Sequence, residues 1–229
     1  KAVYEIEKNK PKKETGLWCG LKLMITQPYV LGIFGIVYIY EVISVITDYQ
    51  MQVLMSLQSN NAIGDMSSFM FIYTAAFQTL GLFFALFGTG QLLKKFGVHF
   101  CLLIMPIATG IFMITLLTYP TLSTMFVIMV LLRALNYGFS APVKEILYIP
   151  TTKDIKFKSK SWIDSFGKSL SKTSGSTFTL LSQTKNSLAL IKTNSIGAIA
   201  LSIVWIAIAF GLGKKYTKTV HLNEAIGKE

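Results

Sequence analysis

Residues 161–183 read SWIDSFGKSLSKTSGSTFTLLSQ, long enough to cross a bilayer and too polar to face lipid. The neighbouring sequence is the opposite. MFVIMVLL (125–132) lies upstream and AIALSIVWIAIAF (198–210) downstream. A polar helix is tolerated at membrane depth only where its polar side faces protein or a water-filled cavity. Whether this segment counts as a span sets both the architecture and the side on which the chain ends.

The 229 residues are 52% hydrophobic and only 14% charged, where a soluble domain carries about 25% charge. Mean hydropathy is +0.53. The net charge is +11, yet the basic residues avoid the long apolar segments. That combination describes an integral membrane protein with lysine-rich loops and argues against a nucleic-acid surface. Cys19 and Cys101 are too few and too far apart for a disulfide framework, and His99 and His221 are equally isolated. No metal cluster and no cofactor are expected.

Five apolar spans are plain: residues 29–46 around Glu41, 69–93, 98–119 with a kink expected at Pro106, 122–143 around Arg133, and 193–213. Lysine placement decides whether 161–183 makes a sixth. Lys1, Lys8, Lys10, Lys12 and Lys13 precede the first span, and Lys94 and Lys95 follow the second. Lys153, Lys156, Lys158 and Lys160 follow the fourth; Lys214, Lys215 and Lys218 follow the last. The loop at 56–67 and the connection at Pro120 have no Lys or Arg. With six spans every strongly basic segment falls on the cytoplasmic side, and only Lys185 and Lys192 run against the rule. The expected organisation is a basic cytoplasmic linker at 1–28, a six-helix transmembrane bundle at 29–213 with a cytoplasmic loop at 144–160, and a cytoplasmic tail at 214–229. A chain that starts at Lys1 with no signal peptide reads as a fragment or a processed piece.

An ionisable group inside the membrane costs about 2.5 to 3.5 kcal/mol on insertion scales unless it is paired or hydrated. Glu41, Arg133 and Lys172 are therefore informative. Glu41 and Asp48 are seven residues apart and share a helical face, with Gln52 nearby. Asp164, Lys168 and Lys172 follow one another at four-residue steps. Pairing of Glu41 or Asp164 with Lys172 or Arg133 would simply hold helices together. Several charges across three spans favour a polar path for an anionic solute. Gly167-Lys168-Ser169 ends like a phosphate loop, but Trp162 stands where that pattern requires Gly.

Residues 133–176 also carry a family resemblance. KE at Lys144-Glu145, YIP at 148–150, KDIKFKSK at 153–160, WID at 162–164 and K-x-x-G at 172–175 form a long ordered series. The series resembles the signature region of the non-mitochondrial ATP/ADP translocases, the nucleotide transporters of plastids and intracellular bacteria. IYEVISVITDYQMQ (39–52) is similar to the first span of that family's second half, and GQLLKKFG (90–97) to a facilitator-type cytoplasmic loop, with Lys94 where Asp is usual. The resemblance implies an all-α membrane protein related to the major facilitator superfamily. This chain would be the C-terminal six of twelve helices and would need an N-terminal six-helix half as partner.

The activity implied is exchange of ATP for ADP by alternating access, in a cell inner membrane or organelle envelope, with no enzymatic step. The resemblance makes Glu41 and Lys172 residues needed for transport and places Lys144 and Glu145 in the motif. Gly175 and Ser176 would bend the helix or expose backbone donors. The expected nucleotide-contacting set is Glu41, Arg133, Lys144, Glu145, Asp164, Lys168 and Lys172. Alternatives are proton-coupled nucleotide uptake, with Glu41 or Asp164 titrating, and a non-transporting interaction protein derived from a transporter half.

Overall fold

The computed structural model describes residues 17–58, 63–153, 155–184, 186–222 and Ile226. The lysines at 1–13, the loop at 59–62, Asp154, Lys185 and most of the tail beyond Leu222 lie outside the described residues.

The described chain is almost entirely helical. A short helix α1 (Leu17–Thr26) lies in the segment expected as linker and packs on residues 155–162. Helix α2 (Pro28–Gln58) starts with proline at a position where the missing N–H costs nothing. Helix α3 (Ile63–Phe83) runs on through a π-helical turn, Phe84–Gly88, into α4 (Thr89–Thr118). The helix breaks at Gly97, whose φ of 75° and ψ of 169° are open to glycine and strained for other residues. The chain therefore turns beside Lys94 and Lys95, while Pro106, where a kink was expected, sits inside a helix whose single backbone break is at Gly97. Helix α5 (Leu122–Leu135) is capped by Thr121, whose hydroxyl accepts from the Thr124 amide at 3.2 Å. A second π-helical turn, Asn136–Ser140, leads into α6 (Ala141–Ile146).

Residues 155–181 form one helical run, made of a turn at Ile155–Ser159, α7 (Lys160–Trp162), a turn at Ile163–Gly167 and α8 (Lys168–Leu181). The connection expected at 144–160 is thus shorter, because Lys144 and Glu145 belong to α6 and helix resumes at Ile155. Helix α9 (Ser187–His221) is capped by the Asn186 side chain, which accepts from the Leu188 and Ala189 amides.

Among the described residues, five segments are long and apolar enough to cross a membrane: Pro28–Gln58, Gly64–Phe87, Gly90–Thr118, Leu122–Ile146 and Ser187–His221. The architecture is all-α. The expected sixth span, 161–183, is helical through Leu181 but too polar to join that set.

Helix α2 is the hub, and its contacts fix chain directions. Phe34 meets Trp162 and Gly167, the Tyr38 hydroxyl donates to Ser174 Oγ at 2.7 Å, and Gln183 reaches Tyr49. Residue numbers rise together, so α2 and the 155–181 helix run parallel. Against α9 the order reverses: Gly32 faces Leu212, Gly35 faces Ile208, and Gln50 Nε2 donates to the Ile191 carbonyl at 2.9 Å. Gly32 and Gly35 therefore serve close helix packing. Helices α3 and α5 are parallel, with Phe69 on Phe126 and Gly81 on Ala134. A residue with no side chain is required at Gly175, where a Cβ would stand 2.9 Å from Val45 Cβ and 3.1 Å from the Val42 carbonyl oxygen. Its part is close packing, in place of the bending expected there.

Candidate functional site

Helix α2, the end of α5, the turn at Asn136–Ser140, α6 and the 155–181 helix enclose a cavity of about 440 Å³. Helix α2 contributes Tyr40, Glu41, Ser44 and Asp48; the α5 end and the turn after it contribute Arg133, Asn136 and Tyr137. Lys144, Glu145 and Tyr148 come from α6 and the turn beyond it, and Lys160, Asp164, Lys168 and Lys172 from the opposite helix. All seven residues expected from sequence, Glu41, Arg133, Lys144, Glu145, Asp164, Lys168 and Lys172, line this one cavity. A larger cavity of about 650 Å³ lies between the end of α2 and the start of α3; Gln52, Ser56 and Met66 are among its walls and none of its lining residues is charged. Gln52 thus belongs elsewhere than with Glu41.

π-helical turns recur around the site. A π turn inserts one residue into the helical register and re-aims the side chains near it, and such turns collect at functional sites. One of them carries Asn136 and Tyr137, and another, Ile163–Gly167, carries Asp164 next to Lys168. Gly167 itself is helical and packs on Phe34, so the phosphate-loop lookalike is only a helix turn.

The charges are largely neutralised in pairs. Arg133 donates to both oxygens of Asp48, at 2.7 and 2.6 Å. Lys160 pairs with Glu145 at 2.6 Å and Lys168 with Asp164 at 3.0 Å. None of these is a pairing anticipated from sequence. Lys144 donates to Asn136 Oδ1 at 3.3 Å and stands 4.8 Å from the Tyr40 ring centre. The Lys160 ammonium also lies 5.7 Å from the Tyr148 ring centre. Burial, with Asp164 and Glu145 nearby, holds the Tyr148 phenol well above the usual tyrosine range. Among the described residues, Glu41 and Lys172 have neither an ion pair nor a hydrogen bond to their side chains.

Sequence reasoning left several lining residues out of its site. Asp48 was visible on the face of Glu41, and Lys160 sat in the basic run assigned to a loop. Tyr148 was visible only as part of the YIP element at 148–150, and Tyr40, Asn136 and Tyr137 were not singled out, because polar or aromatic residues in apolar helices are common. Among the described residues no group of three His, Cys, Asp or Glu side chains could hold a metal ion. Cys101 is a free, buried cysteine and does not line the cavity.

A cavity with four carboxylates and five cations, most already paired, suits reversible binding of a charged solute. An anion placed in this cavity would find Lys172 without a partner and could draw Lys168 from Asp164 and Lys160 from Glu145 by exchanging one charge-assisted bond for another. The chain matches no protein-family profile, no curated protein and no solved structure.

Proposed function

We propose that this chain is the C-terminal six-helix half of a nucleotide transporter and exchanges ATP for ADP by alternating access with a second six-helix half. The observation that carries the reading is the unpaired Lys172 in a cavity lined by every charged residue singled out within the apolar sequence. A polyphosphate leaving water needs several cationic donors, and lysine, a hydrated point charge, releases as readily as it binds. The 155–181 helix is the additional span, fifth in chain order, its polar side turned to the cavity and Phe166, Leu170, Leu180 and Leu181 exposed on its surface. Its parallel course with α2 fits six alternating crossings, both termini cytoplasmic, in a cell inner membrane or organelle envelope. The major-facilitator relationship rests on the resemblance of residues 39–52 and 133–176 to the translocases and of residues 90–97 to a facilitator-type loop.

Losing one charge-assisted bond to an ionised group costs about 1.5 to 3 kcal/mol, so Lys172→Gln is expected to weaken ATP binding about tenfold or more. The loss is expected to be larger for ATP than for AMP, and Lys172→Arg is expected to retain part of the binding. Radiolabelled nucleotide binding and uptake, with surface amount quantified, test this. Parental affinity and rate in a normally expressed Lys172→Gln protein would remove the reading.

Glu41 supports a second reading, proton-coupled uptake, because its carboxylate has no ion pair in the cavity. Glu41→Gln is then expected to lose uptake driven by a pH gradient and keep equilibrium exchange. Equal loss of both activities would assign Glu41 to the exchange path itself.

A further inference from the structure

Tyr137 stands on a boundary. One side belongs to the charged cavity, and the other to an uncharged recess of about 430 Å³ lined with Phe77, Gln78, Gly81, Leu82 and Ala85. We propose that this recess is the subsite for the nucleobase, so that a nucleotide lies across Tyr137 with its phosphates among the lysines and its base outside them. The inference rests on the nucleotide reading above.

The charged cavity has little aromatic surface left for a base. Lys144 covers the Tyr40 ring at 4.8 Å, and Lys160 lies over Tyr148 at 5.7 Å. Tyr137 differs: the residue is 58% exposed, and its ring lies near-parallel to Phe77, at 23° with centroids 5.9 Å apart. That gap is too narrow for a base to slide between the rings, so stacking uses the open part of Tyr137, with Phe77 as its backing. The recess volume lies within the range of small-ligand pockets, about 300 to 1,000 Å³. Gln78 supplies the one carboxamide in the recess, a donor and an acceptor side by side, which matches the adjacent donor and acceptor on an adenine edge.

The floor is preformed. A Cβ at Gly138 would fall 2.5 Å from the Gly81 carbonyl oxygen and 2.7 Å from Phe84 Cβ, so the two backbones touch and the turn is fixed against α3. The π-helical turns Phe84–Gly88 and Asn136–Ser140 meet there, the kind of local distortion that gathers at ligand sites.

The test compares ATP with inorganic tripolyphosphate, the same phosphate chain without sugar or base, on the purified full chain in lipid nanodiscs. The parent protein is expected to bind ATP more tightly than tripolyphosphate, and ATP more tightly than GTP. Tyr137→Ala is expected to weaken ATP about tenfold, the loss of one base–aromatic stack, and to leave tripolyphosphate within about twofold. Tyr137→Phe, which keeps the ring, is expected to bind ATP like the parent. Gln78→Leu, at an exposed position, is expected to narrow the gap between ATP and GTP and leave tripolyphosphate unchanged. Equal parental affinity for ATP and tripolyphosphate, an unaffected Tyr137→Ala, or equal loss of both probes in that variant would overturn the base subsite and leave the anion cavity standing. Failure of the parent to bind either probe would overturn the nucleotide reading together with it.

Discussion

At the scale of single residues, Arg133 illustrates how a buried charge is settled. Its guanidinium is spent on Asp48, and Asp48 keeps 39% of its side-chain surface accessible. Removing one partner of a fully buried pair costs about 3 to 5 kcal/mol; the access of Asp48 to water lowers that here to about 2 kcal/mol. Arg133→Ala is therefore expected to lower thermal stability in detergent, and adding Asp48→Asn is expected to recover most of the loss, because no bare carboxylate remains. Additive losses in the double variant would show that the pair does not couple. Glu41, Arg133, Asp164, Lys168 and Lys172 were legible in the sequence because each breaks an apolar or membrane-length segment, and Lys144 and Glu145 through the motif they share with the translocases. Their partners were not: spacing along one helix cannot say that Arg133 of α5 meets Asp48 of α2, or that Lys160 comes down to Glu145. Tyr137 was illegible for a further reason, since a π-helical turn aims it and no residue type encodes that turn.

At the scale of elements, small residues set how closely helices approach. Gly175 lets the 155–181 helix lie against α2 beside Val42 and Val45. Gly175→Ala is expected to push the two apart at a cost of about 1 to 3 kcal/mol, the usual range for overpacking. Val45→Ala in the same chain is expected to return part of that stability and not all of it, because the Val42 carbonyl is backbone and cannot be trimmed. Thermal unfolding of the single and double variants measures both; a neutral Gly175→Ala would mean that the interface yields freely. The five apolar helices were read from hydropathy alone, and the break at Gly97 fell where Lys94 and Lys95 had marked a loop. Pro106 misled because a proline removes one backbone hydrogen bond without forcing the chain to turn. The 155–181 helix began earlier than expected because the charged residues that read as loop are also good helix formers.

At the scale of the molecule, the parallel course of α2 and the 155–181 helix predicts where each connection lies. In a background lacking Cys19 and Cys101, cysteines at Asp65 and Thr184 are expected to react with an impermeant thiol reagent from outside, and cysteines at Lys95 and Lys156 only after permeabilisation. Protection of Thr184→Cys, with external labelling of Lys218→Cys, would mean five crossings instead of six. Ile226 also touches the turn after α6: its amide donates to the Pro150 carbonyl at 2.8 Å, and the Thr152 amide donates to the Ile226 carbonyl at 3.1 Å.

The lone ammonium of Lys172 bears on how such a carrier would cycle. Three cations of the cavity have carboxylate partners, and among the described residues Lys144, Lys172 and Glu41 are in no ion pair, so without an anion five cations face four carboxylates and one net positive charge is left to water. Closing the walls around it without a passenger strips that water and leaves bare charge in a medium of low dielectric. Closing them around an anion does not. In the exchange proposed above the loaded form would therefore face a lower barrier to reorientation than the empty one, and a carrier that turned over only when occupied would take a molecule back for each one it delivers.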